Sequence, residues 1–236
     1  MTVVAILQAR MTSTRLPGKV LAELAGEPLL THELRRLERC AMVDEVVVAT
    51  TTNTTDDPVA RLAERHGIRV HRGSEHDVLG RFVGAARDAK ADVVVRVTAD
   101  CPLLDAAVVD RVVVALDPGV DYASNIAKRT FPVGLDAEAL FTDVLERAHR
   151  LARSPEAREH VTWLIREEQP DLFLHASVTD AVDNSDLRWT VDTQADLDHV
   201  RRLYEELALQ TVEMGYLEVV AHERRHDEPV WAVTAK

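Results

Sequence analysis

The chain has 236 residues, of which 46% are hydrophobic and 29% are charged, and its formal net charge is −12. These proportions are typical of a globular protein with a substantial core, and no apolar run approaches the roughly 18 residues of a membrane span. The acidic excess argues against nonspecific nucleic-acid binding, which depends on Lys and Arg at the phosphates, but leaves room for a small anionic substrate.

The first half of the chain alternates predicted strands with predicted helices. The strands are predicted over 3–7, 46–49, 68–71 and 92–98, and the helices over 28–41, 58–66 and 77–90, with a further helix beginning near Asp105. Near-continuous apolar strands joined by helices predict a mostly parallel sheet that is covered on both faces. The fold class is therefore α/β, of the three-layer, Rossmann-like kind.

Beyond Asp117 the pattern changes to shorter strands and loops, which predicts a mixed extension of the sheet. Helices are predicted over 142–153, 155–168, 194–209 and 216–225, and the segment LRWTVDT (187–193) is predicted as a strand. We expect one domain over 1–236, with a nucleotide-binding part over about 1–117 and an acceptor-binding and dimerisation part over about 118–236. The first apolar run is too short for a signal peptide, and Cys40 and Cys101 do not make a disulfide framework, so we expect a cytoplasmic protein.

A cationic loop follows the first strand. It carries Arg10, Arg15 and Lys19, and no acidic residue precedes Glu23. Open α/β sheets bind ligands at the carboxyl ends of their strands, so the loop is predicted to hold the phosphates of a nucleotide. It lacks both familiar glycine signatures, and the phosphates would therefore be bound by side-chain cations and backbone N–H groups. The alternative is an ordinary basic surface loop.

Three aspartates follow apolar stretches. Asp100 ends the fourth strand and would face the same crevice as the cationic loop, where Mg²⁺ binds through one or two carboxylates and substrate phosphates. It could equally cap the helix that begins near Asp105. Asp192 is a candidate second metal carboxylate, and either Asp192 or Thr193 could instead be the N-cap of the following helix. Asp136 is either an acceptor contact or a turn residue.

Other candidate residues are less specific. The pair Glu159–His160 lies on a predicted helix, where most histidines serve packing or surface roles. Cys101 has no evident base beside it and is interpreted as a packed thiol. No nucleophile elbow is present.

Taken together, the motifs resemble a known family. The strings QARMTSTRLPGKVL, DEVVVATTTN, RGSEHDVLGRF, VRVTADCPLLD, FPVGLDAEAL, EAREHVT and LRWTVDT occur in order over about residues 3–205. They resemble cytidylyltransferases of the spore-coat polysaccharide biosynthesis protein F type, relatives of the acylneuraminate and 3-deoxy-manno-octulosonate cytidylyltransferases. The resemblance implies the fold of nucleotide-diphospho-sugar transferases, with CTP as substrate, Mg²⁺ as cofactor, and a homodimer.

The resemblance also implies roles for individual residues. It implies catalytic roles for Arg15, Lys19 and Asp100, and metal binding by Asp100 and Asp192. Nucleotide binding is implied for Leu7, Gln8, Ala9, Arg10, Ser13, Arg15, Lys19, Thr51, Arg81, Thr98 and Asp100. Acceptor binding is implied for Asn125, Arg129, Asp136, Glu138, Glu159 and His160.

The predicted reaction transfers CMP from CTP to a small anionic acceptor and releases pyrophosphate. The acceptor classes are acidic sugars, sugar or polyol phosphates, and phosphonates. One alternative is a glycosyltransferase of similar fold that uses a preformed nucleotide sugar, although such proteins often carry a DxD pair where this chain has DCP. The other alternative is a non-catalytic nucleotide-binding protein.

Overall fold

The computed structural model describes residues 1–227, so the last nine residues of the domain predicted over 1–236 lie outside the described part. The strands are β1 (Val3–Gln8), β2 (Glu23–Leu24), β3 (Glu27–Pro28), β4 (Glu45–Thr51), β5 (Arg69–Gly73), β6 (Val93–Thr98), β7 (Tyr122–Ser124), β8 (Glu138–Phe141) and β9 (His175–Ser177). The helices are α1 (Leu29–Leu37), α2 (Asp57–Arg65), α3 (Val78–Asp88), α4 (Ala106–Val114), α5 (Thr142–Leu151), α6 (Pro155–Glu159), α7 (Gln194–Leu207) and α8 (Tyr216–Asp227).

A seven-stranded sheet runs in the order β5-β4-β1-β6-β8-β7-β9. β8 is antiparallel to both of its neighbours, whereas the other strand pairs of this sheet are parallel. The predicted fold class is confirmed, including the mixed extension. The chain runs from β1 to β4 and β5 on one side of β1 and then crosses to β6 on the other side. The strand order therefore reverses between β1 and β6, and open α/β sheets bind ligands at the carboxyl ends of strands at such a switch point.

Side chains alternate between the two faces of the sheet. From β1, Val3, Ala5 and Leu7 enter a core with α1, α2, α4, α7 and α8, while Val4 and Ile6 enter a second core with α3, α5 and α6. This two-residue periodicity is the ordinary geometry of a strand buried on both sides. The three predicted layers follow from it.

Two of the predicted elements are wrong. The segment 187–193 is not a strand. It makes one isolated parallel bridge, between Val133 and Arg188. Its N–H groups bond to separate loops rather than to one neighbouring strand, so no ladder forms. The helix predicted over 155–168 ends at Glu159, and a π-helical turn begins at Leu164. Between them Val161 is fully buried with φ +52°, which interrupts the helix.

The predicted strand boundaries of the first half agree closely with the structure, with ends that differ by no more than two residues. The first helix is shorter than predicted, because it ends at Leu37 and not at residue 41. In residues 1–227 no helix is both long and apolar enough to cross a membrane.

Candidate active site

A cleft of about 300 Å³ opens at the carboxyl ends of β1 and β6. Predicted site residues that line it are Gln8, Arg10, Ser13, Arg15, Lys19, Thr98, Asp100, Glu159, His160 and Asp192. The cationic loop, the end of the fourth predicted strand and the segment before α7 therefore meet in one place, although they are far apart in sequence.

Lys19 lies at the centre of this cleft. Its Nζ donates to Asp100 Oδ2 at 2.9 Å, to Asp192 Oδ1 at 2.9 Å and to the Val191 carbonyl at 2.8 Å. Burial alone would lower the pKa of Lys19, but the carboxylates of Asp100 and Asp192 raise it above its ordinary value. The ammonium group therefore stays charged at neutral pH and binds both aspartates at once.

The backbone of Val191 explains why the two aspartates converge. Its N–H donates to the Asp100 carbonyl at 2.7 Å, and its carbonyl accepts from Lys19. These two bonds join the segment before α7 directly to the turn after β6. Since a backbone bond fixes the chain and not only a side chain, the carboxylates of Asp100 and Asp192 are held on the same side of the cleft.

The capping alternatives for the two aspartates are wrong. Asp105, not Asp100, caps α4 by accepting from the Val108 N–H at 3.1 Å. Thr193, not Asp192, caps α7 in a reciprocal capping box with Asp196. Both site carboxylates are thus available to cations in the cleft.

The cationic loop is fixed at both ends. Gly18 has φ +72°, a conformation that glycine adopts without strain, and its N–H donates to the Met11 carbonyl at 2.9 Å. The Met11 N–H donates in turn to Asp56 Oδ1 at 2.7 Å. The Pro-Gly step therefore closes the loop and directs Lys19 inward, where it is 9% exposed.

Arginines surround the outer side of Asp192. Arg15 Nη2 lies 2.8 Å from Asp192 Oδ1, and Arg188 Nη2 lies 2.6 Å from Asp192 Oδ2. Arg188 was not among the predicted site residues, although a cation four positions before a candidate ligand is a signal in the sequence. With Lys19, these side chains lower the pKa of Asp192 even though its partial burial opposes the shift.

The donor set of the cleft fits a magnesium ion that is shared with a substrate. Within residues 1–227 no group of three or more His, Cys, Asp or Glu side chains forms a metal site. Asp100 and Asp192 nevertheless supply hard, anionic oxygens, and both already bind one cation, the Lys19 ammonium. Mg²⁺ is commonly held by one or two carboxylates and the phosphates of its substrate, so two protein carboxylates are sufficient.

Arg81 is an almost fully buried guanidinium on α3, with 1% of its surface exposed. Its Nη1 donates to the Ser74 carbonyl at 2.7 Å, while Nε and Nη2 have no hydrogen-bond partner among the described residues. Burial, with the nearby Arg10, lowers the pKa of Arg81 to about 10. Arg81 lines neither this cleft nor the second cleft described below, so its contact with a nucleotide stays a prediction.

A second cleft of about 300 Å³ adjoins the first and shares Arg96 and Thr98 with it. Three of its lining residues, Arg129, Asp136 and Glu138, are predicted acceptor contacts. Arg129 binds Asp136 through two parallel bonds of 2.6 and 2.9 Å. This second cleft is therefore built from paired charges.

Arg96 and Arg166 are charged residues of the second cleft that are not among the predicted site residues. Arg96 pairs with Glu138 across the antiparallel β6–β8 register, and Glu138 also accepts from the Tyr122 hydroxyl at 3.1 Å. A single charge inside the apolar run VVVRVT was a signal for Arg96. Arg166 lies in the π-helical turn, which no local sequence pattern predicts.

Five predicted site residues do not line either cleft: Leu7, Ala9, Thr51, Arg81 and Asn125. Leu7 and Ala9 are buried in the core, and the Thr51 hydroxyl donates to Asp56. Asn125 is fully buried, where it donates to the Leu135 carbonyl and accepts from the Ala137 N–H. Asn125 therefore fixes the chain before β8, and a direct contact with an acceptor stays a prediction.

Comparison with known proteins identifies the family. A family model described as cytidylyltransferase matches residues 4–216. The chain belongs to the cytidylyltransferase family. Among curated relatives, an uncharacterised protein of Methanocaldococcus jannaschii is 36% identical over 88% of this chain and 83% of its own length. The spore coat polysaccharide biosynthesis protein SpsF of Bacillus subtilis is 35% identical over 85% of each chain.

A solved structure supports the same assignment. A cytidylyltransferase from Leptospira borgpetersenii serovar Hardjo-bovis superposes with a TM-score of 0.89 at 30% identity, over 96% of this chain and 95% of that one. The family resemblance predicted from the motifs is confirmed, and the protein is a nucleotidyltransferase of the cytidylyltransferase family.

Proposed function

We propose that this cytidylyltransferase transfers CMP from CTP to a small anionic acceptor and releases pyrophosphate. The observation that carries the proposal is the convergence of Lys19 with Asp100 and Asp192, flanked by Arg15, at the switch point of the sheet. Such an arrangement of cations and carboxylates suits a triphosphate that arrives with a divalent ion.

In the proposed reaction an acceptor oxygen attacks the α-phosphorus of CTP, the bond between that phosphorus and the oxygen bridging to the β-phosphate breaks, and pyrophosphate leaves. An ionised phosphate or phosphonate oxygen has no proton to lose, whereas a hydroxyl acceptor releases its proton to solvent. Lys19 and Arg15 stabilise the charge that develops on the leaving pyrophosphate. Asp100 and Asp192 would hold Mg²⁺, which when bound neutralises phosphate oxygens and polarises the phosphorus. The protein otherwise acts by positioning the reactants.

The two clefts divide the substrates. The first cleft would hold the triphosphate, and Arg81 would read the cytosine ring, which presents the acceptors O2 and N3. The second cleft would hold the acceptor, with Arg129, Asp136, Glu138, Arg96 and Arg166 around it. Because the clefts share Arg96 and Thr98, an acceptor oxygen placed there is adjacent to the triphosphate.

The acceptor class follows from the cations of the second cleft. Arg96 and Arg129 are paired with carboxylates that line the cleft, whereas the ion pair that Arg166 makes among residues 1–227 is with the half-exposed Glu167, at 3.3 Å. We therefore infer that the acceptor is anionic: an acidic sugar, a sugar or polyol phosphate, or a phosphonate. The name of the SpsF relative supports a place in polysaccharide biosynthesis, and assembly as a homodimer stays a prediction.

The decisive experiment is a pyrophosphate-release assay that crosses the four nucleoside triphosphates with the three acceptor classes in the presence of Mg²⁺. We expect release only with CTP and one acceptor class, and formation of the matching CMP conjugate by mass spectrometry. Use of a preformed nucleotide sugar, with no pyrophosphate released, would instead establish the glycosyltransferase. Binding of CTP with no turnover across the whole panel would establish a non-catalytic protein.

A further inference from the structure

A buried carboxyl group lies beneath the turn that carries Asp100. Glu33 is on α1 and is fully buried, and its Oε1 accepts the backbone N–H of Cys101, the residue after Asp100. Its second oxygen, Oε2, has no hydrogen-bond partner among the described residues. The proposed reaction does not use this group, so its presence needs a separate explanation.

A half-satisfied buried carboxyl is unfavourable for folding. Burial penalises the charged form, and the nearby Asp100 adds to the penalty, so the pKa of Glu33 is raised well above its ordinary value. An apolar side chain of similar size would avoid both costs, but it would leave the buried Cys101 N–H without an acceptor, which is itself unfavourable. The bond to the Cys101 N–H is therefore what the buried carboxyl group provides.

The bonds around the turn indicate what Glu33 does. The Asp100 carbonyl accepts from Val191, the Cys101 N–H donates to Glu33, and the Pro102 carbonyl accepts from the Tyr204 hydroxyl at 2.7 Å. Three consecutive residues are thus held by three different parts of the chain. Glu33 supplies the middle bond, directly after the proposed metal ligand.

We propose that Glu33 is a positioning residue: through the Cys101 N–H it fixes the backbone of the turn so that the Asp100 carboxylate faces Asp192. This inference rests on the proposed metal-binding role of Asp100. A carboxylic acid serves as well as a carboxylate, because the bond needs only an acceptor oxygen. Glutamine at this position keeps that acceptor, and methionine removes it at similar volume.

The test compares the wild type with Glu33→Gln and Glu33→Met. The first readout is the melting temperature, and the second is the factor by which Mn²⁺ strengthens CTP binding in calorimetry. Glu33→Met is expected to stay folded at the temperature of the binding measurement and yet to show an Mn²⁺ factor about tenfold smaller than that of the wild type, as is typical of residues behind a metal ligand. Glu33→Gln is expected to retain the factor. Arg35→Met is the matched control, since Arg35 lies on the same helix but pairs with Glu27, away from the turn.

The outcomes separate this inference from the proposed function. If Glu33→Met keeps the Mn²⁺ factor, or if both variants melt well below the wild type, Glu33 has no positioning role. If Mn²⁺ does not strengthen CTP binding to the wild type, the metal role of Asp100 fails and this inference fails with it. If the Mn²⁺ factor depends on Glu33 but no acceptor supports pyrophosphate release, the inference stands and the proposed reaction is wrong.

Discussion

Lys19 and Asp192 lie 173 residues apart in the chain, and yet Lys19 Nζ and Asp192 Oδ1 are 2.9 Å apart in the cleft. The same ammonium binds Asp100. The carboxylates proposed to hold a metal thus bind a cation that belongs to the protein. The two aspartates contact three cationic side chains, those of Lys19, Arg15 and Arg188, so the cluster carries a net charge of +1.

We predict that this arrangement suppresses metal binding until a nucleotide arrives. Removing the ammonium in Lys19→Met should increase the Mn²⁺ affinity of the nucleotide-free protein by about tenfold or more, because a nearby unit charge is lost. Free Mn²⁺ measured by electron paramagnetic resonance gives the affinity. Lys128→Met, which removes an exposed charge, is the control. Equal Mn²⁺ affinities in the wild type and Lys19→Met would contradict the prediction.

Asp100→Asn is predicted to abolish turnover without unfolding the protein. The amide keeps the shape of the side chain but loses the charge that binds both Lys19 and the proposed metal, and a loss of about 10²–10³-fold in pyrophosphate release is expected. Release of pyrophosphate from CTP and circular dichroism are measured on the same sample. Near-normal turnover by a folded variant would show that Asp100 has no essential role.

Cytosine recognition by Arg81 is a third prediction. N3 of cytosine accepts a hydrogen bond, whereas N3 of uracil carries a hydrogen and is a donor. A guanidinium group has only donors, so it can bind N3 of cytosine but not N3 of uracil. Arg81→Met should therefore reduce the preference for CTP over UTP by about 10–100-fold, which corresponds to the free energy of a hydrogen bond to a charged group. The ratio of kcat/KM for the two nucleotides is the measurement. Arg87→Met, on the exposed side of the same helix, should leave the ratio unchanged, and an unaltered ratio in Arg81→Met would refute the assignment.

The sequence determines the first half of the fold and the local character of the site more fully than their assembly. Strands β1, β4 and β6 are recognisable because they are continuous apolar runs between turn residues. Arg10, Arg15, Lys19 and Asp100 follow from the positions of charges after such strands. Each of these predictions uses information within about ten residues.

The missed features depend on distant parts of the chain. Arg96 acquires its partner Glu138 only through the β6–β8 register, and the 187–193 segment fails to become a strand because Val191 bonds to Asp100 instead. The break after Glu159 requires a β-branched residue, Val161, to adopt a positive φ. Tertiary packing decides these conformations against the local preference, so a local pattern does not predict them.

Glu33 gives a prediction for the pH dependence of stability. Its folded pKa is raised well above its ordinary value, first by burial and then by Asp100, while the Cys101 N–H and Lys19 oppose the shift. A raised pKa contributes stability that is complete below the unfolded value, about 4.3, and is lost as the pH rises toward the folded value. The free energy of unfolding of Glu33→Gln should therefore exceed that of the wild type by an amount that grows as the pH rises above about 4.3. Urea unfolding at several pH values measures it, with the exposed Glu38→Gln as control, and a pH-independent difference would contradict it.

A last prediction concerns the contact that brings the segment before α7 to the sheet. Gly134 has φ +112°, and a Cβ at this position would lie 2.8 Å from both the Thr190 nitrogen and the Trp189 carbonyl carbon. Both neighbours are backbone atoms, which cannot rotate away as a side chain does. Gly134→Ala should therefore destabilise the fold by about 2 kcal/mol, or roughly 4–8 °C in Tm for a chain of this size. Because the same segment carries Asp192, the variant should also bind CTP with Mn²⁺ more weakly at temperatures where it is still folded.

Gly67→Ala is the control for backbone strain. Gly67 has φ +74°, but no atom lies within 4 Å of the new Cβ, so this variant adds strain without a steric clash. If the two variants lose the same Tm, the close approach at Gly134 contributes nothing beyond backbone strain.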